Sequence, residues 1–381
     1  MKHIRIVVLI LCACFVSVAW GQQQQACKAY TPWAEFHRHD MVRLNPCEKV
    51  LGVKDVGNLG LKWSYATGYL VVSSPAVANG VVYVGSADGN VYALNASTGR
   101  RLWSYPTRGQ VNSVPAVADG VVYVGSDDYN LYALKASTGA LLWSYATSNY
   151  VYSAPTVANG VVYVGSNDGN VYALNAHTGA KLWSYATGNQ AQSSPAVANG
   201  AVYVGSNDGN VYALNASNGA KLWSYATGGT VFSSPAVANG VVYVGSTDNN
   251  VYALNASTGA LLWSYTTGYY VYSSPAVANG AIYIGSIDGN VYALNASTGA
   301  LLWSYTTGGQ AKSSPAVANG VVYVGSEDSN VYALNASTGA KLWSYATGNY
   351  VDSSPAVANG VVYVGSYDGN VYAFGLKKGR E

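Results

Sequence analysis

The sequence predicts an all-β fold, a single eight-bladed β-propeller of four-stranded antiparallel blades with the ring closed by an N-terminal strand joining the last blade. Three observations carry this. A tryptophan recurs every forty residues, at Trp63, Trp103, Trp143, Trp183, Trp223, Trp263, Trp303 and Trp343, and a period near 40 with several short strands per copy marks a propeller blade. A proline keeps the same period from Pro75 to Pro355. The two ends of the array are complementary: a Trp strand at 61–66 precedes every other strand, and the last copy stops at 370–374 without one. Closing the ring in this way removes the open edge at which unzipping or aggregation would start.

The elements of the first copy follow in order. Strands are expected at 73–78, 81–86, 90–95 and 101–106. Proline cannot donate to a ladder and survives mainly on edge strands, so Pro75 and its counterparts suit the innermost strand, whose free edge borders the central channel. Asn79-Gly80, and Asp119-Gly120 in the second copy, are type I′ hairpin signals, because both central positions need φ > 0. Ser86 to Asn90 forms a longer hairpin in which the aspartate accepts backbone N–H groups and the glycine takes a positive φ. Val81-Val82-Tyr83-Val84 has no polar face and must be covered on both sides, as in stacked twisted sheets.

The ends read differently. Residues 1–21 carry Lys2 and Arg5, an apolar run and a small-x-small site ending at Gly21, the pattern of a signal peptide. Secretion or a periplasmic location is expected. Leu11-Cys12-Ala13-Cys14 competes as a lipoprotein box acylated at Cys14, but Phe15-Val16 continue the apolar run where a polar linker would follow. Residues 22–60 form a lead-in without repeats, expected across the outside or one mouth of the ring; 61–375 form the propeller and 376–381 a tail. With Cys12 and Cys14 lost in the leader, Cys27 and Cys47 remain as a candidate disulfide.

Only 9% of residues are charged and 13% are aromatic, which excludes a disordered chain. Losing Lys2 and Arg5 from the 19 basic residues leaves a balance with the 17 acidic ones, so no nucleic-acid footprint is expected. No segment after the leader reaches ~18 uninterrupted apolar residues, so no membrane span is expected. A monomer is expected.

Within each copy, Ala93-Leu94-Asn95-Ala96-Ser97-Thr98-Gly99-Arg100-Arg101-Leu102-Trp103 resembles the tryptophan-docking motif of the pyrroloquinoline quinone (PQQ) repeat family, Ala-x-Asp-x-x-Thr-Gly-Lys-x-x-Trp. Departures are small: Asn or Lys135 for Asp, mostly Ala for Lys, and Asn218 for Thr in one copy. Trp33, Phe36, Asn45-Pro46 and Val56-Gly57-Asn58-Leu59 are similar to the lead-in of exported bacterial members. The resemblance implies a tryptophan packed between neighbouring blades and two contrasting roles, a quinoprotein dehydrogenase binding PQQ and calcium, or a non-enzymatic scaffold.

A PQQ dehydrogenase of this family needs a calcium cage, a carboxylate base and often a vicinal cysteine pair, placed on insertions and departures from the repeat. Every blade here has one length, no Cys-Cys occurs, and eight of the 17 acidic residues are one turn aspartate, from Asp88 to Asp368. One carboxylate per loop falls short of a six-to-eight oxygen cage, so no cofactor is expected, with PQQ and calcium as the alternative. His37 and His39 could join a metal site but lack an assured third ligand. Asn-Ala-Ser at Asn95 and its counterparts matches the glycosylation triplet but belongs to the docking turn, and is expected bare.

Differences between copies concentrate at two offsets. Before the innermost strand the pairs are Leu70/Val72, Gln110/Asn112, Tyr150/Tyr152, Gln190/Gln192, Thr230/Phe232, Tyr270/Tyr272, Gln310/Lys312 and Tyr350/Asp352, always separated by Val or Ala. The hairpin offset reads Ala87, Asp127, Asn167, Asn207, Thr247, Ile287, Glu327 and Tyr367. Chain direction places both at one mouth of the channel. Tyrosine, glutamine and asparagine suit a polar neutral ligand such as a glycan, or a protein partner, while Lys312 and Asp352 are placed to pair or to hold a charged group between them. Two readings stay open, a ligand surface and a rim that drifts because nothing packs on it. The function expected is an exported, non-enzymatic binding or assembly scaffold.

Overall fold

The computed structural model describes residues 33–36 and 42–377. The expected signal peptide, Cys27, His37 and His39 lie outside the described residues. Eight sheets each contain four antiparallel propeller strands. In blade 1 they are Ala76–Ala78, Val81–Gly85, Asn90–Asn95 and Arg101–Pro106, running from the channel outward, and blades 2 to 7 repeat them. Blade 8 takes its outermost strand from the start of the array: Leu59–Ala66 pairs antiparallel with Asn370–Leu376. Both closing strands are longer than the sequence suggests, extending two residues beyond 61 and two beyond 374.

The innermost strand is shorter than expected, and proline precedes the ladder instead of sitting in it. The physical reason lies in the serines beside it. Ser73 Oγ accepts from Gly85 N at 3.2 Å, so the ladder continues through a side chain, and it donates to Ser113 O of the next blade at 2.9 Å. The same link recurs from Ser153 to Ser193 at 3.1 Å and from Ser353 back to Ser73 at 3.2 Å. A second series joins blades 3 to 8 and 1 through Ala154 N to Ser194 Oγ and its counterparts, ending with Ser354 N to Ser74 Oγ. It stops there because blades 2 and 3 carry Val114 and Ala154 at that position, and Phe36 packs on this apolar pair.

Blade stacking explains the low charge. The strand Val81–Gly85 is buried along almost its whole length. Each Trp ring lies against the next blade, and its indole N–H donates to a main-chain carbonyl there, as from Trp103 to Ala136 O at 2.8 Å and Trp223 to Ala256 O at 2.9 Å. A tyrosine of the second strand shares that carbonyl, as Tyr123 does with Ala176 O at 3.0 Å. Blade 8 ends before it can form a docking turn, so Trp343 donates instead to Leu59 O, and the buried Tyr323 hydroxyl has no partner.

The described parts of the lead-in follow the inside of the ring in blade order, 33–35 along blades 1 to 3 and 42–45 along blades 6 to 8. Valine N–H groups on the free inner edges need acceptors. Val77 N donates to Trp33 O at 2.6 Å, Val117 N to Ala34 O at 2.7 Å and Val157 N to the Glu35 carboxylate at 3.3 Å. Val277 N then donates to Val42 O and Val317 N to Arg43 O, where Leu44–Asn45 adds a short parallel strand to blade 7. Arg43 is fully buried. Its guanidinium donates to Phe36 O, Ser314 O, Pro315 O and Pro355 O and lies over the Trp33 and Phe36 rings. Burial pushes its pKa down to about 9, which leaves it charged at neutral pH. Further on, the Glu48 carboxylate accepts from Gly360 N at an Asn-Gly turn. The lead-in therefore stoppers the mouth formed by the Asn-Gly turns. Cys47 in this segment is disulfide-bonded.

Candidate binding mouth

The opposite mouth is built from the inter-blade links and the second hairpins, and one hydrogen bond per blade locks the two variable offsets together. Ala87 N donates to Leu70 O, Asp127 N to Gln110 O, Asn167 N to Tyr150 O and Asn207 N to Gln190 O; Thr247, Ile287, Glu327 and Tyr367 repeat it with Thr230, Tyr270, Gln310 and Tyr350. The structure thus brings all the candidate positions of the sequence to one rim. The constant Val or Ala between the paired positions is fully buried against the preceding blade, as Val111 and Ala191 show, while its flanks turn to the channel.

The repeated turn aspartate is structural. Asp88 accepts from Tyr92 OH at 2.6 Å, Gly68 N at 2.6 Å and Asn90 N at 2.9 Å. Burial alone would raise its pKa, but these donors outweigh burial and hold the carboxyl below its ordinary value. The same donor set holds Asp128, Asp168, Asp208, Asp328 and Asp368 down.

In blades 2, 7 and 8 the side chains of the two variable offsets meet, fifteen residues apart. Asn112 Nδ2 donates to the Asp127 carboxylate at 3.2 Å, Lys312 Nζ to Glu327 at 2.5 Å and Tyr367 OH to Asp352 at 2.8 Å. The direct partner of Lys312 is therefore Glu327 of its own blade, not Asp352, because the hairpin offset faces the link offset across one register step. Asp352 still adds to the field that raises the Lys312 pKa against the opposing effect of burial.

Aromatic residues gather in two arcs. On blades 2 and 3, Tyr129, Tyr150 and Tyr152 are in ring contact at 5.3 and 5.5 Å. On blades 5 and 6, Phe232 meets Tyr272 edge-on at 5.1 Å, and Tyr269 stacks on Tyr270 at 4.3 Å. Between the arcs, Gln190 Oε1 accepts from Gln192 at 2.8 Å and Asn207 at 3.0 Å. Gln310 and Tyr350 complete the ring on blades 7 and 8. Tyr69, Tyr129 and Tyr269, all exposed at this rim, are missing from the sequence-based set. Tyr129 had a signal: it replaces the usual hairpin glycine and keeps its positive φ of 74°.

Burial raises Asp127 to about 6, with the neighbouring Asp128 adding to the shift and Asn112 opposing it. A carboxyl whose folded pKa lies above its unfolded value costs stability when ionised, and that cost fades as pH falls through the folded pKa toward the unfolded one, near 4. Asp127→Asn is expected to raise the melting temperature at pH 7.5 and to make no difference at pH 4; an unchanged midpoint at both values would contradict the burial cost.

Among the described residues, no group of three or more His, Cys, Asp or Glu side chains is placed to hold a metal ion, and no helix is long and apolar enough to cross a membrane.

A closed ring of eight four-stranded blades, bridged at every junction by a tryptophan, defines a β-propeller whose described residues stopper one mouth and leave the other open. The chain belongs to the PQQ-like repeat β-propeller family, and a family model described as beta-alanine-activating enzyme, beta-propeller matches residues 48–277 and 158–320. A second, described as outer membrane protein assembly factor BamB, matches residues 268–381. No curated protein matches the chain in sequence. Among solved structures, BamB from Moraxella catarrhalis is 22% identical with a TM-score of 0.73, covering 83% of this chain and 99% of its own. The quinohemoprotein alcohol dehydrogenase ADHIIG from Pseudomonas putida HK5 is 20% identical with a TM-score of 0.80, covering 92% of this chain and 81% of its own. The computationally designed Ika8 protein is 20% identical with a TM-score of 0.74, covering 81% of this chain and 97% of its own. At these identities the likeness is one of fold.

Proposed function

We propose that this chain is an exported, non-enzymatic scaffold, secreted or periplasmic, that binds a protein partner or polar ligand at its variable mouth. The observation that carries the reading is the pairing of the two variable offsets by one hydrogen bond in every blade. Differences between copies concentrate at the mouth left open, while the lead-in occupies the other. The likeness to an outer-membrane assembly factor supports a partner-binding role. A disulfide between Cys47 and Cys27 would fasten the lead-in and suits an oxidising compartment.

The quinoprotein likeness suggests PQQ and calcium instead. The residues present fit that pair poorly. Each turn carboxylate is already engaged by its own hairpin and the adjoining link, and among the described residues the rim offers a polyanionic quinone only Arg108 and Lys312 as cations, the latter already paired with Glu327. On the proposed reading the chain works without them.

The test is a ligand screen on the mature protein, repeated with Tyr150→Ala and Tyr270→Ala. Loss of at least about tenfold in affinity is expected, as for aromatic anchors of an interface; unchanged binding of an identified ligand places its site elsewhere. Incubation with PQQ and Ca²⁺ followed by a dye-linked alcohol oxidation assay is expected to give no turnover, and clear turnover would overturn the non-enzymatic reading.

A further inference from the structure

The near-zero net charge conceals a segregation along the propeller axis. The open mouth carries the eight turn aspartates together with Asp127, Glu327 and Asp352, against Arg108 and Lys312. Lys181, Lys221 and Lys341 instead begin outer strands at the stoppered end. Such a separation sets up a field that steers cations to one face.

An independent feature points the same way. Buried side-chain oxygens without a hydrogen-bond partner cluster at the variable offsets, in Asn112, Asp127, Asn167, Asn207 and Asp352. Asn167 is only 8% exposed. The amide groups of Asn112 and Asn207 already spend their N–H donors on Asp127 and Gln190, so what remains unsatisfied is acceptor capacity. Lysine and arginine carry three and five donors and no acceptor. The aromatic arcs of blades 3 and 6 add faces that attract cations. Asp127, ionised in a half-buried place that raises its pKa, is a group whose cost to stability a bound cation would offset.

We propose that the open mouth receives a basic peptide segment of a partner protein, whose lysine or arginine side chains draw the shielded, unpartnered oxygens of blades 8, 2, 3 and 4 outward as acceptors and lie against the tyrosine arcs. This rests on the mouth being the binding site. The acceptors spread over half the ring, which matches several cations spaced along an extended segment better than one small amine. A neutral glycan, bringing donors and acceptors in equal number, leaves the charge of the mouth unanswered.

A random dodecapeptide display library panned against the immobilised full mature chain tests this. Selected peptides are expected to be enriched in lysine and arginine and to bind, by fluorescence anisotropy, with an affinity that falls with added salt. The isosteric double variant Asp127→Asn, Asp352→Asn is expected to weaken them by about tenfold or more while its thermal midpoint at neutral pH rises or holds and does not fall. Selection of neutral or acidic peptides, or full affinity in the double variant, overturns the basic-peptide assignment. If the selected peptides also ignore Tyr150→Ala and Tyr270→Ala, the mouth itself is not the site, which separates failure of this inference from failure of the reading beneath it. Spermine competing as well as the peptides at equal charge would overturn the peptide in favour of a small polyamine.

Discussion

Arg43→Ala is expected to release the lead-in from the ring and to cost about 3 kcal/mol or more. The truncation strips a donor from four main-chain carbonyls at once, those of Phe36, Ser314, Pro315 and Pro355, and opens a cavity beside Trp33 and Phe36, which the guanidinium covers. Each buried carbonyl left unsatisfied costs about 1–3 kcal/mol, reduced by whatever relaxation or water can reach it. If the domain unfolds as one unit, the melting temperature falls by roughly 4 °C or more. If the lead-in peels away first, trypsin should cut at Lys49 and Lys54 long before the propeller melts. Arg43→Lys retains charge without the planar fork and should recover only part of the loss. A variant that melts with wild type and resists trypsin equally would show that the buried guanidinium does not hold the segment.

Gly165→Ala is expected to be at least as severe, about 3 kcal/mol or more, with failure to accumulate as a folded protein the extreme outcome. The glycine ends the second strand of blade 3, and a Cβ there would lie 2.1 Å from the carbonyl oxygen of Ala191 in blade 4. Backbone, not a flexible side chain, stands in the way, so the methyl group can be accepted only by parting two blades. Gly160 in the same blade is the control: its φ is +75° and nothing lies within 4 Å of an added Cβ. Its replacement by alanine pays only for the left-handed backbone, about 1–2 kcal/mol. Equal midpoints for the two variants by urea denaturation would refute a close approach between blades.

The same glycine contact shows how far the repeats could be read. The constant Val or Ala between two variable residues is visible in the sequence, but its cause is not: Ala191 packs against Gly165 of the blade before it, outside any local pattern. Blade number and hairpins were legible because each is stated eight times, and closure because the two ends of the array are complementary. The course of the lead-in was not, because Trp33, Ala34, Val42 and Arg43 engage the inner edges mostly through main-chain carbonyls, which leave no mark on residue type. The partner of Lys312 was missed for a related reason. Glu327 and Lys312 are both visible as departures, yet only the register between link and hairpin tells which departure faces which. Net charge, being a sum, could not show that the turn aspartates had gathered at one end and most of the lysines and arginines of the blades at the other.

The interruption of the second serine series at Val114 and Ala154 has a consequence for assembly. Blades this alike are nearly interchangeable, and chains of repeats misfold by pairing the wrong neighbours. A lead-in that must lie around an eightfold ring has eight rotational settings, alike in backbone hydrogen bonding. In one of them Phe36 rests on valine and alanine; in the others it would press on serine hydroxyls already committed between blades. Two lost hydroxyls thus act as a keyway, fixing the phase of the wrap and thereby which blade the strand at Leu59–Ala66 is positioned to complete.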